Sequence, residues 1–170
     1  MLKLLYPDSF VKTIFEIDIE ELKARGIRGL ILDLDNTIVP RNSAVATDEL
    51  KEWLSRLEKQ GMKACILSNN WKQRVSSIAA QVGLPLVARA AKPRRGAFVQ
   101  AMKVLGTSKE ETVVIGDQLF TDVLGGNLAG IHTILVVPMS NHEAPHTKIL
   151  RKLERRIMKS RTTQEAPNLR

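Results

Sequence analysis

Cysteine is almost missing from this chain. Its 170 residues include one, Cys65, so no disulfide can form within the chain, and a reducing compartment fits. Cys65 lies inside the apolar run from Met62 to Leu67 and reads as a small core residue. Aromatic residues make up only 4% of the chain. That leaves no stacking platform of the kind that binds single-stranded nucleic acid. Long hydrophobic runs are absent too: no segment approaches the roughly 20 apolar residues of a membrane span. The opening Met1-Leu2-Lys3-Leu4-Leu5-Tyr6 meets Pro7-Asp8 too early to read as a signal peptide. A cytoplasmic protein is the expectation.

What is present suits a packed core. The chain is 44% hydrophobic and 26% charged, enough for one globular domain over residues 1–147. Its net charge of +8 is uneven. Between Lys148 and Arg170 eight basic residues face only Glu154 and Glu165, which accounts for +6 of that +8. Within this segment Ile149, Leu150, Leu153 and Ile157 share one helical face, so residues 148–170 read as a basic amphipathic helix followed by a frayed tail. Such a helix can dock on the core or lie on an anionic membrane surface. Arg89, Lys92, Arg94 and Arg95 form a second basic stretch. Clusters of this kind attract phosphate esters, anionic lipid headgroups or RNA.

Apolar runs alternate with amphipathic ones along the chain. Residues 29–34, 62–67, 86–87, 112–115 and 131–137 read as strands. Residues 47–60, 71–82, 96–105 and 120–129 read as helices between them, and Asp18-Ile19-Glu20-Glu21 resembles a capping box ahead of a short helix stopped by Gly26. This order predicts an α/β fold: a doubly wound, three-layer, mostly parallel sheet with helices on both faces.

Each polar cluster of interest falls at the carboxyl end of a predicted strand. Asp33 and Asp35 follow the first, Ser68 and Asn69 the second, Lys92 the third, and Asp117 and Asp122 the fourth. In a parallel sheet these ends share one edge, where open α/β sheets bind ligands. Several carboxylates beside a hydroxyl and an ammonium suit a magnesium ion next to a phosphoryl group. Asn69 can contact substrate or cap the backbone. Thr37 and Asp122 also suit a turn or a helix cap. His132, inside a predicted strand, reads as structural. His142 and His146 have helical metal-pair spacing, which Pro145 disfavours, and Trp71 can shield the site or merely pack.

Asp33-Leu34-Asp35-Asn36-Thr37 resembles the first motif of the haloacid dehalogenase (HAD) superfamily in its phosphatase version. Ser68 resembles the second motif, Lys92 the third, and Gly116-Asp117-Gln118-Leu119-Phe120-Thr121-Asp122 the GDxxxxD form of the fourth. A lone DxD also arises in glycosyltransferases and by chance, whereas four motifs in order, each after a strand, are specific. Over nearly the whole chain the likeness extends to the YqeG-type group of subfamily IIIA, which is similar to phosphatidylglycerophosphate phosphatases. The resemblance implies a HAD-like (Rossmannoid) domain. It implies Asp33 as nucleophile forming an aspartyl phosphate, and Asp35 as acid and then base. It further implies Mg2+ held by Asp33, the Asp35 backbone carbonyl and Asp117, and phosphoryl binding by Ser68 and Lys92. Thr37 and Asp122 would support that set from behind.

Neither usual cap insertion point has room for a domain, since residues 39–46 form a short loop and residues 70–92 are used up by one helix and one strand. A capless, open site suits a bulky anionic substrate such as phosphatidylglycerophosphate at the inner face of a membrane, or a site covered by a second copy of the chain. Two alternatives stand beside it: a phosphatase of small soluble phosphomonoesters, and an RNA- or ribosome-binding protein with an incidental site.

Overall fold

The apolar runs form strands, and the amphipathic stretches cross between them as helices. The computed structural model describes residues 2–70 and 73–140. In chain order its elements are β1 Ser9–Val11, α1 Ile19–Ala24, β2 Gly29–Leu32, α2 Asp48–Lys59, β3 Lys63–Leu67 and α3 Gln73–Val82. They continue as β4 Leu86–Val87, α4 Arg95–Leu105, β5 Thr112–Gly116, α5 Leu124–Ala129 and β6 His132–Val136. The strands make one sheet in the order β1-β6-β5-β2-β3-β4, parallel at every pairing.

Period two along the central strand decides the layers. Leu30 and Leu32 join one buried cluster with Leu22 of α1, Trp53 and Leu57 of α2, and Ile78 of α3. Ile31 points the other way, into a cluster with Cys65, Phe98 and Ala101 of α4, and Ala129 of α5. The sheet is therefore covered on both faces, which is why its strands read as unbroken apolar runs rather than as alternation. Cys65 is fully buried in this second cluster, and desolvation pushes its thiol up to about 12, so it is an inert packing residue.

The helix ends follow their local chemistry. Asp18 caps α1 by accepting from the Glu21 N–H at 3.1 Å, and Thr47 caps α2 by accepting from the Leu50 N–H at 3.2 Å. Gly106 and Gly130 close α4 and α5 in the left-handed region, which glycine enters without a Cβ penalty.

Two features depart from the sequence reading. β1 adds an edge strand before Gly29, paired with β6. It is only three residues long and leaves Phe10 exposed, so it carries no alternation to read. Asp8 secures it from across the sheet, accepting from the Thr133 N–H at 2.8 Å and the Thr133 hydroxyl at 3.0 Å. The helix expected over residues 120–129 is also in two parts, a π-helical turn Leu119–Val123 followed by α5. Such turns concentrate at functional sites, and this one carries Asp122.

Winding sets the site. From β2 the chain steps through β3 and β4 to one edge, then returns to lay β5 on the other side of β2. The carboxyl ends of β2 and β5 flank that reversal. No cap domain is inserted among the described residues: a loop joins β2 to α2, and α3 alone lies between β3 and β4. No described helix is long and apolar enough to cross a membrane. The amphipathic helix expected over residues 148–159, His142, His146 and Trp71 lie outside the described residues.

Candidate active site

Asp33 is the first residue beyond β2, and its N–H still donates to the Ile115 carbonyl of β5 at 2.9 Å. The sheet ladder thus fixes its backbone while its side chain passes the sheet edge. Lys92, in the loop between β4 and α4, reaches back to it. The Lys92 ammonium donates to Asp33 Oδ1 and to Asp122 Oδ1, both at 2.6 Å. All three side chains are buried.

Two supports hold Lys92 and Asp122 in place. The Asn69 side chain, just past β3, accepts from the Lys92 N–H at 2.7 Å and donates to the Lys92 carbonyl at 3.2 Å. Of the two readings offered for Asn69, this geometry fits backbone capping. Asp122 Oδ2 accepts from the Gln118 N–H at 3.2 Å. Its carboxylate lies so close to β5 that a Cβ on Gly116 would fall 2.3 Å from the Asp122 Cγ. The glycine of the GDxxxxD pattern is therefore required for close approach.

Thr37 bridges the first and fourth clusters. Its hydroxyl lies 3.0 Å from Asp33 Oδ2 and 3.5 Å from Asp117 Oδ1. A hydroxyl has one proton, so Asp33 is the nearer acceptor. The loop between Thr37 and Asp33 turns at Asn36, whose φ of 65° is left-handed. Asn36 Oδ1 accepts from the Arg41 N–H and the Ser140 hydroxyl, tying this turn to the chain that follows β6. The buried Ser68 hydroxyl accepts from the Asn70 N–H at 3.1 Å, a bond that uses a lone pair and not the hydroxyl proton.

Carboxylate oxygens of Asp33, Asp117 and Asp122 all lie within 4.8 Å of one another. The Asp35 side chain stands apart from that group. It takes the Arg74 Nη1 donor on Oδ1 at 2.6 Å, and Asn70 Nδ2 lies 3.5 Å from Oδ2. Arg74, on the first turn of α3, also donates from Nη2 to the Pro40 carbonyl at 3.0 Å and from Nε to the Ser43 carbonyl. Sequence reasoning missed Arg74 and Asn70. An arginine at a helix start carries no signal of its own, and only the fold aims it at Asp35.

Three carboxylates crowd together in this cluster, and the Lys92 ammonium sits on two of them, Asp33 and Asp122. Burial raises Asp33 to about 6, against the lowering pull of Lys92 and with a further rise from Asp122. Lys92 is shifted upward instead, because Asp122 and Asp33 together outweigh its desolvation. It stays charged at any physiological pH.

A HAD-hydrolase-like family model matches residues 89–153. Over 156 residues the chain is 46% identical to the probable phosphatase YqeG of Bacillus subtilis, spanning 92% of this chain and 91% of that protein. The chain belongs to the HAD phosphatases. A second relative is phosphatidylglycerophosphate phosphatase 1, chloroplastic/mitochondrial, of Arabidopsis thaliana. It is 28% identical over 163 residues, which are 90% of this chain and 47% of the plant protein. Among solved structures, NagD of Escherichia coli superposes with a TM-score of 0.57 at 16% identity, over 71% of this chain and 93% of that one. That likeness concerns the fold alone. Asp33, Asp117, Asp122 and Lys92 meet at one edge of the sheet, and a phosphate ester is the substrate class of this family.

Proposed function

We propose that this phosphatase hydrolyses phosphomonoesters through an aspartyl-phosphate intermediate on Asp33, with a bulky anionic lipid such as phosphatidylglycerophosphate as its substrate. The observation that carries the chemistry is the buried trio Asp33, Asp117 and Asp122, whose carboxylate oxygens lie within 4.8 Å of one another, with the Lys92 ammonium on Asp33 and Asp122. Buried carboxylates packed this close together repel one another, and a divalent cation offsets that cost. Hard oxygen donors fit Mg2+. Asp33 and Asp117 would hold it, with the Asp35 carbonyl as the third donor that the resemblance implies. A bound divalent ion supplies charge neutralisation as a carboxylate and a phosphate approach each other.

The remaining steps belong to the chain. An Asp33 carboxylate oxygen attacks phosphorus, and the bond from phosphorus to the ester oxygen breaks. Asp35 gives its proton to that leaving oxygen. Water then attacks the aspartyl phosphate and passes a proton to Asp35, releasing inorganic phosphate and restoring Asp33. Lys92 and the Ser68 hydroxyl stabilise the transferring phosphoryl oxygens. Asn69 fixes the Lys92 backbone, while Asp122 and Thr37 orient Lys92 and Asp33.

Three observations support a lipid substrate. Among the described residues no cap domain is inserted, the plant relative is named for phosphatidylglycerophosphate, and the net charge of +8 favours an anionic bilayer. Peripheral attachment to the cytoplasmic face of a membrane follows from this reading. The decisive experiment has two arms. With an aryl phosphate and Mg2+, Asp33→Asn should lose at least about 10³-fold in kcat, and equal activity of variant and wild type would sink the mechanism. With phosphatidylglycerophosphate in vesicles beside a panel of sugar phosphates and nucleotides, the lipid should give the highest kcat/KM. A clear preference for a soluble compound would assign the enzyme to small metabolites.

A further inference from the structure

Exposed apolar side chains are unevenly placed on this molecule. Among the described residues six large ones are exposed: Phe10, Val45, Val104, Leu128, Val137 and Met139. Val104 and Leu128 stand in the last turns of α4 and α5, which return the chain to the amino ends of the strands. The other four lie along the carboxyl edge that carries the site. Phe10 on β1 is in register with Leu135 of β6, and Leu135 with Gly116 of β5, the residue before Asp117. Val137 and Met139 follow β6 as the chain crosses that edge. The Val137 N–H donates to the Lys12 carbonyl at 3.2 Å, and the Met139 N–H donates to the Asn36 carbonyl at 2.9 Å. Val45 is in the loop between β2 and α2, two residues past the Ser43 carbonyl that Arg74 holds. Basic residues take the α4 side of the same edge. Arg89, Arg94 and Arg95 are exposed around Lys92, in a stretch, residues 88–108, that contains no acid. The exposed acids Asp48 and Glu49 open α2, on the opposite face of the sheet.

We propose that this edge is a docking face for an anionic bilayer. Phe10, Val137 and Met139 insert into the headgroup layer, and Arg89, Arg94 and Arg95 pair with anionic lipid on the α4 side. A few apolar side chains beside a row of arginines offer too little area for a stable protein interface, which buries about 1,000 Å² or more. They suit shallow insertion into a charged surface. The site then opens onto the bilayer at headgroup level. A phosphomonoester on a lipid headgroup reaches Asp33 while its acyl chains stay in the membrane. The bilayer itself takes the place of a lid, covering the site and displacing water from it. Net charge attracts the chain to the surface, and this edge sets which way it faces. The inference rests on the lipid reading given above and adds the surface through which the lipid is met.

The test maps the contact with tryptophan in the full-length chain. Phe10→Trp places a probe on the carboxyl edge and Val104→Trp one on the amino edge, both at exposed positions. Vesicles of phosphatidylcholine and phosphatidylglycerol carry lipid brominated near the top of the acyl chains, which quenches a tryptophan that reaches it. Emission is read as the difference from the wild type, which removes Trp53 and Trp71. Phe10→Trp should be strongly quenched and Val104→Trp should not. Quenching at neither position, or alike at both, overturns docking by this edge. A second measurement divides kcat/KM for phosphatidylglycerophosphate in vesicles by kcat/KM for an aryl phosphate in solution. Phe10→Ser with Met139→Ser should lower that ratio by about tenfold. Arg94→Gln with Arg95→Gln should lower it by at least about tenfold. The Arg94 side chain makes no cap hydrogen bond to α4, so its loss spares the helix. The ratio is taken within each variant, so a general loss of active protein leaves it unchanged. A ratio unchanged in both variants overturns the inference. Quenching needs no hydrolysis, so the two readings fail separately. Preference for a soluble compound in the substrate panel would overturn the lipid reading, whereas unquenched Phe10→Trp in an enzyme that prefers the lipid overturns this inference alone.

Discussion

Asp33 carries opposing demands at a single residue. As the proposed nucleophile it must be ionised, yet burial raises it to about 6 from an ordinary 3.8. The sign of the linkage follows. A carboxyl raised in the folded state costs stability when ionised, so the cost is full above about 6 and gone below 3.8. In a chelator at pH 8, Asp33→Asn should therefore be more stable than the wild type by about 1–3 kcal/mol. The difference should shrink as pH falls through 6, as thermal melts across the pH range will show. Magnesium should reverse the order at pH 8, because the wild type gains binding free energy that the amide forfeits. A variant no more stable than the wild type at pH 8 in chelator would contradict the strained-carboxylate account. At Lys92 the logic inverts. Its upward shift keeps it charged, so its two ion pairs persist across the whole working range.

At the level of elements, the join between β5 and the π-helical turn is the tightest feature of the site. Gly116 ends β5 with the Asp122 carboxylate packed where its Cβ would be. Gly116→Ala should push Asp122 off Lys92 and cost about 1–3 kcal/mol of stability. A drop in kcat should accompany it, since Lys92 would then neutralise Asp33 alone. Thermal melts and aryl phosphate assays measure both, and an active alanine variant of wild-type stability would refute the contact. The sequence announced the glycine as part of a motif, but its steric reason needed Asp122 in three dimensions. Legibility elsewhere divides in the same way. Helix α2 was readable because Leu50, Trp53, Leu54 and Leu57 repeat at 3.6 residues, and β2, β3 and β5 because both their faces are buried. The strand-end residues were readable because parallel winding brings those ends to one edge. β1 and the Arg74–Asp35 pair were not, since a three-residue edge strand has no period and an arginine's target depends on where the neighbouring loop folds.

For the whole molecule, charge and site have opposite signs. A protein of net charge +8 carries a buried cluster of three carboxylates at its open edge. In the proposed mechanism a cation bound at the acidic cluster offsets its charge before an anionic phosphate enters. The surplus positive charge lies elsewhere in the chain, +6 of it between Lys148 and Arg170. If that surplus draws the enzyme to a bilayer, its effect is electrostatic and additive over residues, about 1 kcal/mol per basic residue near the surface. Removal of residues 148–170 should then weaken binding to vesicles rich in anionic lipid by at least about tenfold, while binding to neutral vesicles changes little. The wild-type affinity should fall as salt rises from 50 to 300 mM, since the Debye length shortens across that range, passing about 10 Å at 100 mM. Hydrolysis of a soluble aryl phosphate by the shortened chain separates the two roles of the segment. Full activity with lost vesicle binding assigns residues 148–170 to the membrane, and lost activity with a lowered melting temperature assigns them to packing against the core.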